Sequence, residues 1–178
     1  AIIGAGWFGC HIASELKKKE IKVSIFEKEN DIFQNGSGNN TNRLHLGFHY
    51  PRSKITRKMS FKGYQKFIKI YPKFSKPLKN NIYAIAKDSS NMMTPKAYEK
   101  SIKESKLNFS NISLDDGNLI NIKKAYNTNE RQIDHEKAKK FFKKNLKGKI
   151  FFKKNIKLIK KINGKYKINN KIFDYVIN

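Results

Sequence analysis

Apolar and polar positions alternate along this chain in a way that predicts its elements in turn. Ala1 to Ile3 is a short apolar run, and Gly4, Gly6 and Gly9 follow at once. Phe8, Ile12, Ala13 and Leu16 then recur at helical spacing, and Lys17 to Lys19 fall in the last turn, where positive charge suits the helix dipole. Lys22 to Phe26, with β-branched Val23 and Ile25, predicts a second strand that ends at Glu27. From Asn30 to Asn42 the chain is polar and glycine-bearing, so a loop is expected. Ser53 to Tyr71 predicts a helix on the spacing of Ile55, Met59, Phe67, Ile68 and Tyr71.

"NNIYAIAKD" predicts a strand. Thr94 as N-cap and Pro95 at the first position open another helix. Asp134 and Gly148 bracket a further one over "IDHEKAKKFFKKNLKG". Asn163-Gly164 is the signal of a type I′ hairpin, and "KIFDYVIN" reads as a buried strand. Asp115-Asp116-Gly117 is expected to be a type I turn. Strands alternating with helices make the fold class α/β.

Composition narrows the partners. The 178 residues are 38% hydrophobic and 12% aromatic, enough for a core. No apolar run approaches the roughly 18 residues of a membrane span. The single cysteine, Cys10, excludes an intramolecular disulfide and suits a reducing compartment, so a cytoplasmic location is expected. Lysine and arginine number 39 against 14 acidic residues, a net charge of +25. The lysines run the whole length alongside abundant asparagine and isoleucine, which reads as compositional bias, so no nucleic-acid partner is expected. A one-sided stripe of lysines would favour a basic nucleic-acid-binding module instead. The sequence starts without methionine and stops inside an apolar run, so it is expected to be a piece of a longer protein, unstable and inactive without its C-terminal half.

The chemistry begins at Gly4-x-Gly6-x-x-Gly9, set between strand and helix, with Glu27 eighteen residues after Gly9. The first glycine permits the tight turn, the second leaves room for a pyrophosphate, and the third lets helix and strand pack closely. The helix start offers N–H groups and a positive dipole end to that diphosphate. Glu27 suits the two hydroxyls of an adenosine ribose. With no arginine beside Glu27 the site favours FAD or NAD over NADP. Trp7, Phe8 and Lys28 adjoin these positions and are counted with them as cofactor-binding candidates. Cys10 is expected to pack helix against sheet, and His11 and His135 to be structural or solvated. No metal-ligand spacing and no nucleophile triad is present in the sequence.

"TNRLHLGFHYPRS", residues 41 to 53, departs from the lysine-rich background. It holds His45, His49, Arg43 and Arg52, with Arg57 close behind. A guanidinium offers a planar fork that lysine cannot replace, and imidazole titrates near neutrality. Together with the polar loop after Glu27, the layout resembles the D-amino-acid-oxidase-like superfamily of FAD-dependent oxidoreductases. Several members, the 2-hydroxyglutarate oxidases among them, show N-S-G-x-x-H-x-G-x-x-Y. Residues 40 to 50 match it at Asn40, His45, Gly47 and Tyr50 and depart at Asn42, where the pattern has glycine. The closing "DYVIN" is similar to the strand that runs back under the cofactor.

The resemblance implies an incomplete Rossmann-like FAD-binding domain with an inserted mixed-sheet α+β substrate domain. The expected bounds are 1–72, 73–170 and 171–178. It implies FAD as cofactor and oxidation of a C–N or C–OH bond of a small amino acid, amine or 2-hydroxy acid, by hydride transfer to flavin N5. Asn40, Thr41, Asn42 and Arg43 then face the diphosphate and flavin. His45 and Tyr50 are the catalytic candidates at the flavin face, and His45 is the position at which some relatives attach the flavin covalently. A flavoprotein of another type, such as an amine oxidase or a sugar mutase-like enzyme, remains the alternative.

Overall fold

A computed structural model describes residues 1–88, 93–114 and 119–178. The turn expected at Asp115-Asp116-Gly117 lies outside the described residues. The chain runs through β1 (Ile2–Ile3), α1 (Trp7–Lys18), β2 (Ile25–Phe26), β3 (Arg43–Leu44), α2 (Lys54–Ile70), β4 (Ser75–Pro77) and β5 (Asn81–Ala86). It continues with α3 (Pro95–Glu104), β6 (Phe109–Ile112), β7 (Ile122–Thr128), β8 (Arg131–Ile133) and α4 (His135–Asn145). It closes with β9 (Ile150–Phe151), β10 (Lys160–Ile162), β11 (Lys165–Ile168) and β12 (Lys171–Phe173). Two compact units result: residues 1–41 with 135–178, and residues 42–134 between them.

In the first unit β1 pairs parallel with β2, and β2 parallel with β9. On the far side of β1 the chain returns as a parallel bridge at Ile177, with Ile3 N–H on the Ile177 carbonyl at 2.8 Å. The order in space is therefore β9, β2, β1, Ile177. This is the start of a doubly wound sheet, whose connections reverse direction at β1. α1 lays its small residues, Cys10, Ala13 and Ser14, against these strands. Phe8, expected on that apolar face, is 82% exposed, because the buried side of the helix is the narrow one set by the small residues. Asn145 on α4 ties the two helices by donating to Ser14 Oγ at 3.0 Å. The meander β10–β11–β12 joins this unit through Phe173, edge-on to Phe26 at 5.8 Å. Its first turn has φ of 48° at Asn163 and 78° at Gly164, as a type I′ hairpin requires.

The second unit holds two antiparallel sheets, β5–β7–β6 and β3–β8–β4. α3 starts where Thr94 accepts the Ala97 N–H at 3.2 Å, and it buries Tyr98 and Ile102. These join Leu46, Phe48, Ile85, Leu107 and Tyr126 in one core, where Tyr98 and Tyr126 stack at 5.0 Å. Each such side chain removed from water stabilises the unit by about 1.5–3 kcal/mol before entropy is counted. α2 begins with Ser53, whose hydroxyl accepts the Thr56 N–H at 3.2 Å. The expected apolar stripe is only partly covered: Ile55 is 74% and Met59 67% exposed, Phe67, Ile68 and Tyr71 are half-buried, and the fully buried residue of α2 is Arg57. Segment 47–51 occupies the inner side of the helix instead. A β-carbon on Gly47 would stand only 3.2 Å from the Arg57 carbonyl oxygen, so the two backbones lie in contact there.

The units divide at 41/42 and 134/135, while the sequence suggests 72/73 and 170/171. Strand pairing accounts for the difference: β3 pairs with β8 and brings residues 42–72 into the second unit, whereas β9 pairs with β2.

Candidate functional site

At the end of β1 the backbone turns sharply into α1. Gly4 takes a φ of +95°, which side-chain-bearing residues rarely adopt. A β-carbon on Gly9 would collide with the carbonyl oxygen of Gly4, so strand and helix are as close as main chain allows. Glu27, at the end of β2, is 7% exposed. Its Oε2 accepts the Ala5 N–H at 2.6 Å and its Oε1 the Glu29 N–H at 3.0 Å. A carboxylate oxygen has two lone pairs, so each keeps one for a hydroxyl at the rim of the turn. Burial, and then the Glu27 charge, push the Cys10 thiol up to about 12, so this cysteine is packing material, as expected.

The helix start has a device that the sequence hides. Its N-cap is Gly6, which has no side chain to offer. Ser37, thirty residues on, supplies the hydroxyl and accepts the Trp7 N–H at 2.8 Å. The polar loop thus folds back onto the glycine turn, and the Phe33 N–H meets the Ala5 carbonyl at 3.2 Å. Asn40 holds the loop by donating to the Gly36 carbonyl at 2.7 Å. Trp7 stacks its half-buried ring on Phe33 at 5.4 Å and meets Phe142 edge-on at 5.6 Å, so the ring packs in an aromatic group. Lys28 is exposed, 3.7 Å from Glu29. Phe8 and Thr41 are exposed as well. His135 packs its ring on Phe33.

In the second unit, Asn42 stands where the family pattern has glycine, and its φ is 51°. Asparagine tolerates this left-handed conformation, so the backbone shape that glycine would give is kept. Arg43 follows, exposed on β3. His45 turns Nδ1 to Oε2 of Glu130 at 3.2 Å. Tyr83 donates to the same oxygen at 2.8 Å, and the Leu46 N–H donates to Oε1 at 2.7 Å. Glu130 is 0% exposed. Burial alone would raise its carboxyl. The hydrogen bonds from His45, Tyr83 and Leu46 outweigh burial and hold it below the ordinary glutamate value. Burial and that same carboxylate push the Tyr83 phenol far above its usual range.

His49 stacks on His45 at 5.5 Å and meets Tyr50 edge-on at 5.4 Å. Beside them lies a cleft of about 300 Å³ lined by Leu44, His45, Tyr50, Met59 and Tyr64 among others. Both catalytic candidates therefore line one cleft. Glu130, Tyr83 and Ser37 are the residues that the sequence reading missed. The available signal for Glu130 was an acid in a chain with few of them. Arginine also has a structural use here. Arg57 donates from Nε to Ser105 Oγ at 2.7 Å and from Nη1 to the Tyr50 and Pro51 carbonyls at 3.2 and 2.5 Å. Arg131 grips Ser75 in a similar way, through Oγ at 2.9 Å and the carbonyl at 2.7 Å.

The family model described as FAD dependent oxidoreductase, DAO, matches residues 1–109. The chain belongs to this family. An FAD-dependent monooxygenase of Fusarium mangiferae is 32% identical over 99% of the chain, which covers 48% of that protein. An FAD-dependent monooxygenase of Aspergillus flavus is 51% identical over 47% of the chain and 19% of its own length. Among solved structures, dithionite-reduced L-alpha-glycerophosphate oxidase from Mycoplasma pneumoniae with FAD bound superposes with a TM-score of 0.75. That likeness is at 20% identity, over 98% of this chain and 52% of the other, and shows the fold. The chain thus spans about half the length of these full-coverage relatives.

The cofactor of this family is FAD. The residues present fit such a group: nothing lies within 4 Å of where a β-carbon on Gly4 would stand, and the buried Glu27 carboxylate is fixed beside the turn by the Ala5 N–H. No helix among the described residues is long and apolar enough to cross a membrane.

Proposed function

We propose that the first unit binds the ADP half of FAD. Gly4 makes the turn, Gly6 leaves room for the diphosphate, Gly9 lets α1 pack on β1, the start of α1 offers the diphosphate N–H groups, and Glu27 takes two ribose hydroxyls. The observation that carries this reading is the buried Glu27 carboxylate, aimed at the turn by the Ala5 N–H at 2.6 Å. Asn40, Thr41, Asn42 and Arg43 continue toward the diphosphate and flavin, and His45 and Tyr50 come to the flavin face. FAD bound there supplies a two-electron acceptor.

The reaction is oxidation of a C–OH or C–N bond in a small amino acid, amine or 2-hydroxy acid. His45 favours the C–OH side of that class. A hydroxyl must shed its proton as the carbon loses a hydride, a neutral amine need not, and an imidazole is a suited acceptor.

The test is the absorbance of the full-length protein, followed by anaerobic addition of L-lactate, L-alanine and L-alpha-glycerophosphate in turn. An oxidised-flavin spectrum bleached by a hydroxyl compound supports the reading. Bleaching by alanine alone moves it to C–N chemistry, and a protein that holds no flavin and refuses added FAD sinks it. Monooxygenation is a second reading, favoured by the 32% identical Fusarium relative. It requires an external reductant, so oxygen uptake only when NADPH is supplied would select it.

A further inference from the structure

Glu130 is fully buried in a chain of 39 lysines and arginines, yet among the described residues its ion-pair partner is a histidine. A purely structural carboxylate in such a chain would meet lysine or arginine readily. The three groups around it all act as donors. Oε1 receives the Leu46 N–H at 2.7 Å, and Oε2 receives the Tyr83 hydroxyl at 2.8 Å and His45 Nδ1 at 3.2 Å. An ionised carboxylate only accepts, so Nδ1 must carry a proton to complete this set. The Tyr83 oxygen, 3.3 Å from Nδ1, gives that proton a second acceptor. With Nδ1 occupied, Nε2 is the bare nitrogen of the ring. It has no hydrogen bond to a described residue, and His45 lines the cleft beside α2.

We infer that Glu130 and Tyr83 are positioning residues that lock His45 in the Nδ1–H tautomer and leave Nε2 as the proton acceptor of the cleft. This rests on the reading of His45 as the base of an alcohol oxidation. The hydroxyl proton passes to Nε2, and the resulting imidazolium is held by the Glu130 carboxylate. The hydrogen on the carbinol carbon leaves with its electron pair to the oxidant, FAD, so the alcohol becomes a carbonyl.

Ring-nitrogen NMR of the full-length protein labelled with nitrogen-15 histidine tests this, with the His45 signals identified by their loss in His45→Gln. The expected result is a proton on Nδ1 in the wild type and in Tyr83→Phe, which keeps the carboxylate. In Glu130→Gln the carboxamide brings its own N–H groups against these donors. The tautomer ratio should then shift toward Nε2–H by roughly tenfold or more, the size of a lost charge-assisted hydrogen bond. A wild-type proton on Nε2, or a ratio unchanged in Glu130→Gln, overturns the inference. Should Glu130→Gln fail to fold, the wild-type tautomer still decides. A preparation that holds no flavin but keeps Nδ1–H counts against the FAD reading alone. One that holds flavin with the proton on Nε2 counts against this inference alone.

Discussion

Gly9 stands so close to the carbonyl oxygen of Gly4 that a β-carbon cannot fit between them. The contact fixes the angle at which α1 leaves β1, and so the direction in which its N–H groups point. Gly9→Ala should destabilise the protein by about 1–3 kcal/mol, the usual range for overpacking. FAD retention after gel filtration should fall with it, because the displaced helix start is the proposed diphosphate site. A variant with full flavin content and wild-type melting temperature would refute both expectations.

The carboxyl of Glu130 is held below its ordinary value of 4.5, so it contributes stability that is fully present above that value. This contribution is lost as the pH falls through the lower value of the folded state. Melting temperature measured from neutrality into acid should therefore drop in the wild type. The drop should be shallower in Glu130→Gln, which has no such proton to take up. Parallel curves for the two proteins would show that this carboxylate does not govern acid stability.

Gly63 lies within α2 and lines the His45 cleft, and a β-carbon there would meet nothing within 4 Å. Alanine is the better helix former by about 1 kcal/mol. Gly63→Ala should thus raise stability by up to that amount, while a bulkier Gly63→Leu should raise KM by filling the cleft. Denaturant unfolding checks the first, and flavin-reduction kinetics the second. An unchanged KM in Gly63→Leu would show that substrate does not occupy the cleft.

Arg57→Lys keeps the charge but loses the fork that joins Ser105 to the Tyr50 and Pro51 carbonyls. Hydrogen bonds to charged groups contribute about 1.5–3 kcal/mol each, so a loss of about that size is expected in denaturant unfolding. A lysine variant as stable as the wild type would show that the fork is not what anchors the 50–51 turn.

Legibility in the sequence followed the range of the interactions. The strand, glycine turn, helix and second strand of the first 29 residues read correctly in order, Phe8 apart, because the constraints of the glycine turn act within a few positions, and the Asn163-Gly164 hairpin read correctly for the same reason. β3 and β4 did not, since segments of two and three residues are held by their pairing with β8 rather than by their own pattern. The apolar spacing of Ile55 and Met59 was genuine, but tertiary packing gave the inner side of α2 to Arg57. His45 stood out by composition, whereas its partner Glu130 is 85 residues away and has no local mark.

The bridge between Ile2 and Ile177 sets an order of events in time. β1 is made well before one of its two neighbours, Ile177, which lies far along the chain. The interior segment, by contrast, finds all its strand partners within residues 42–134. Long loops must close before distant contacts reward them, and that makes such pairings slow. During synthesis the interior unit can mature on its own, while the nascent β1 waits with one edge open. That open edge, present until Ile177 arrives, is where a chaperone would be needed most.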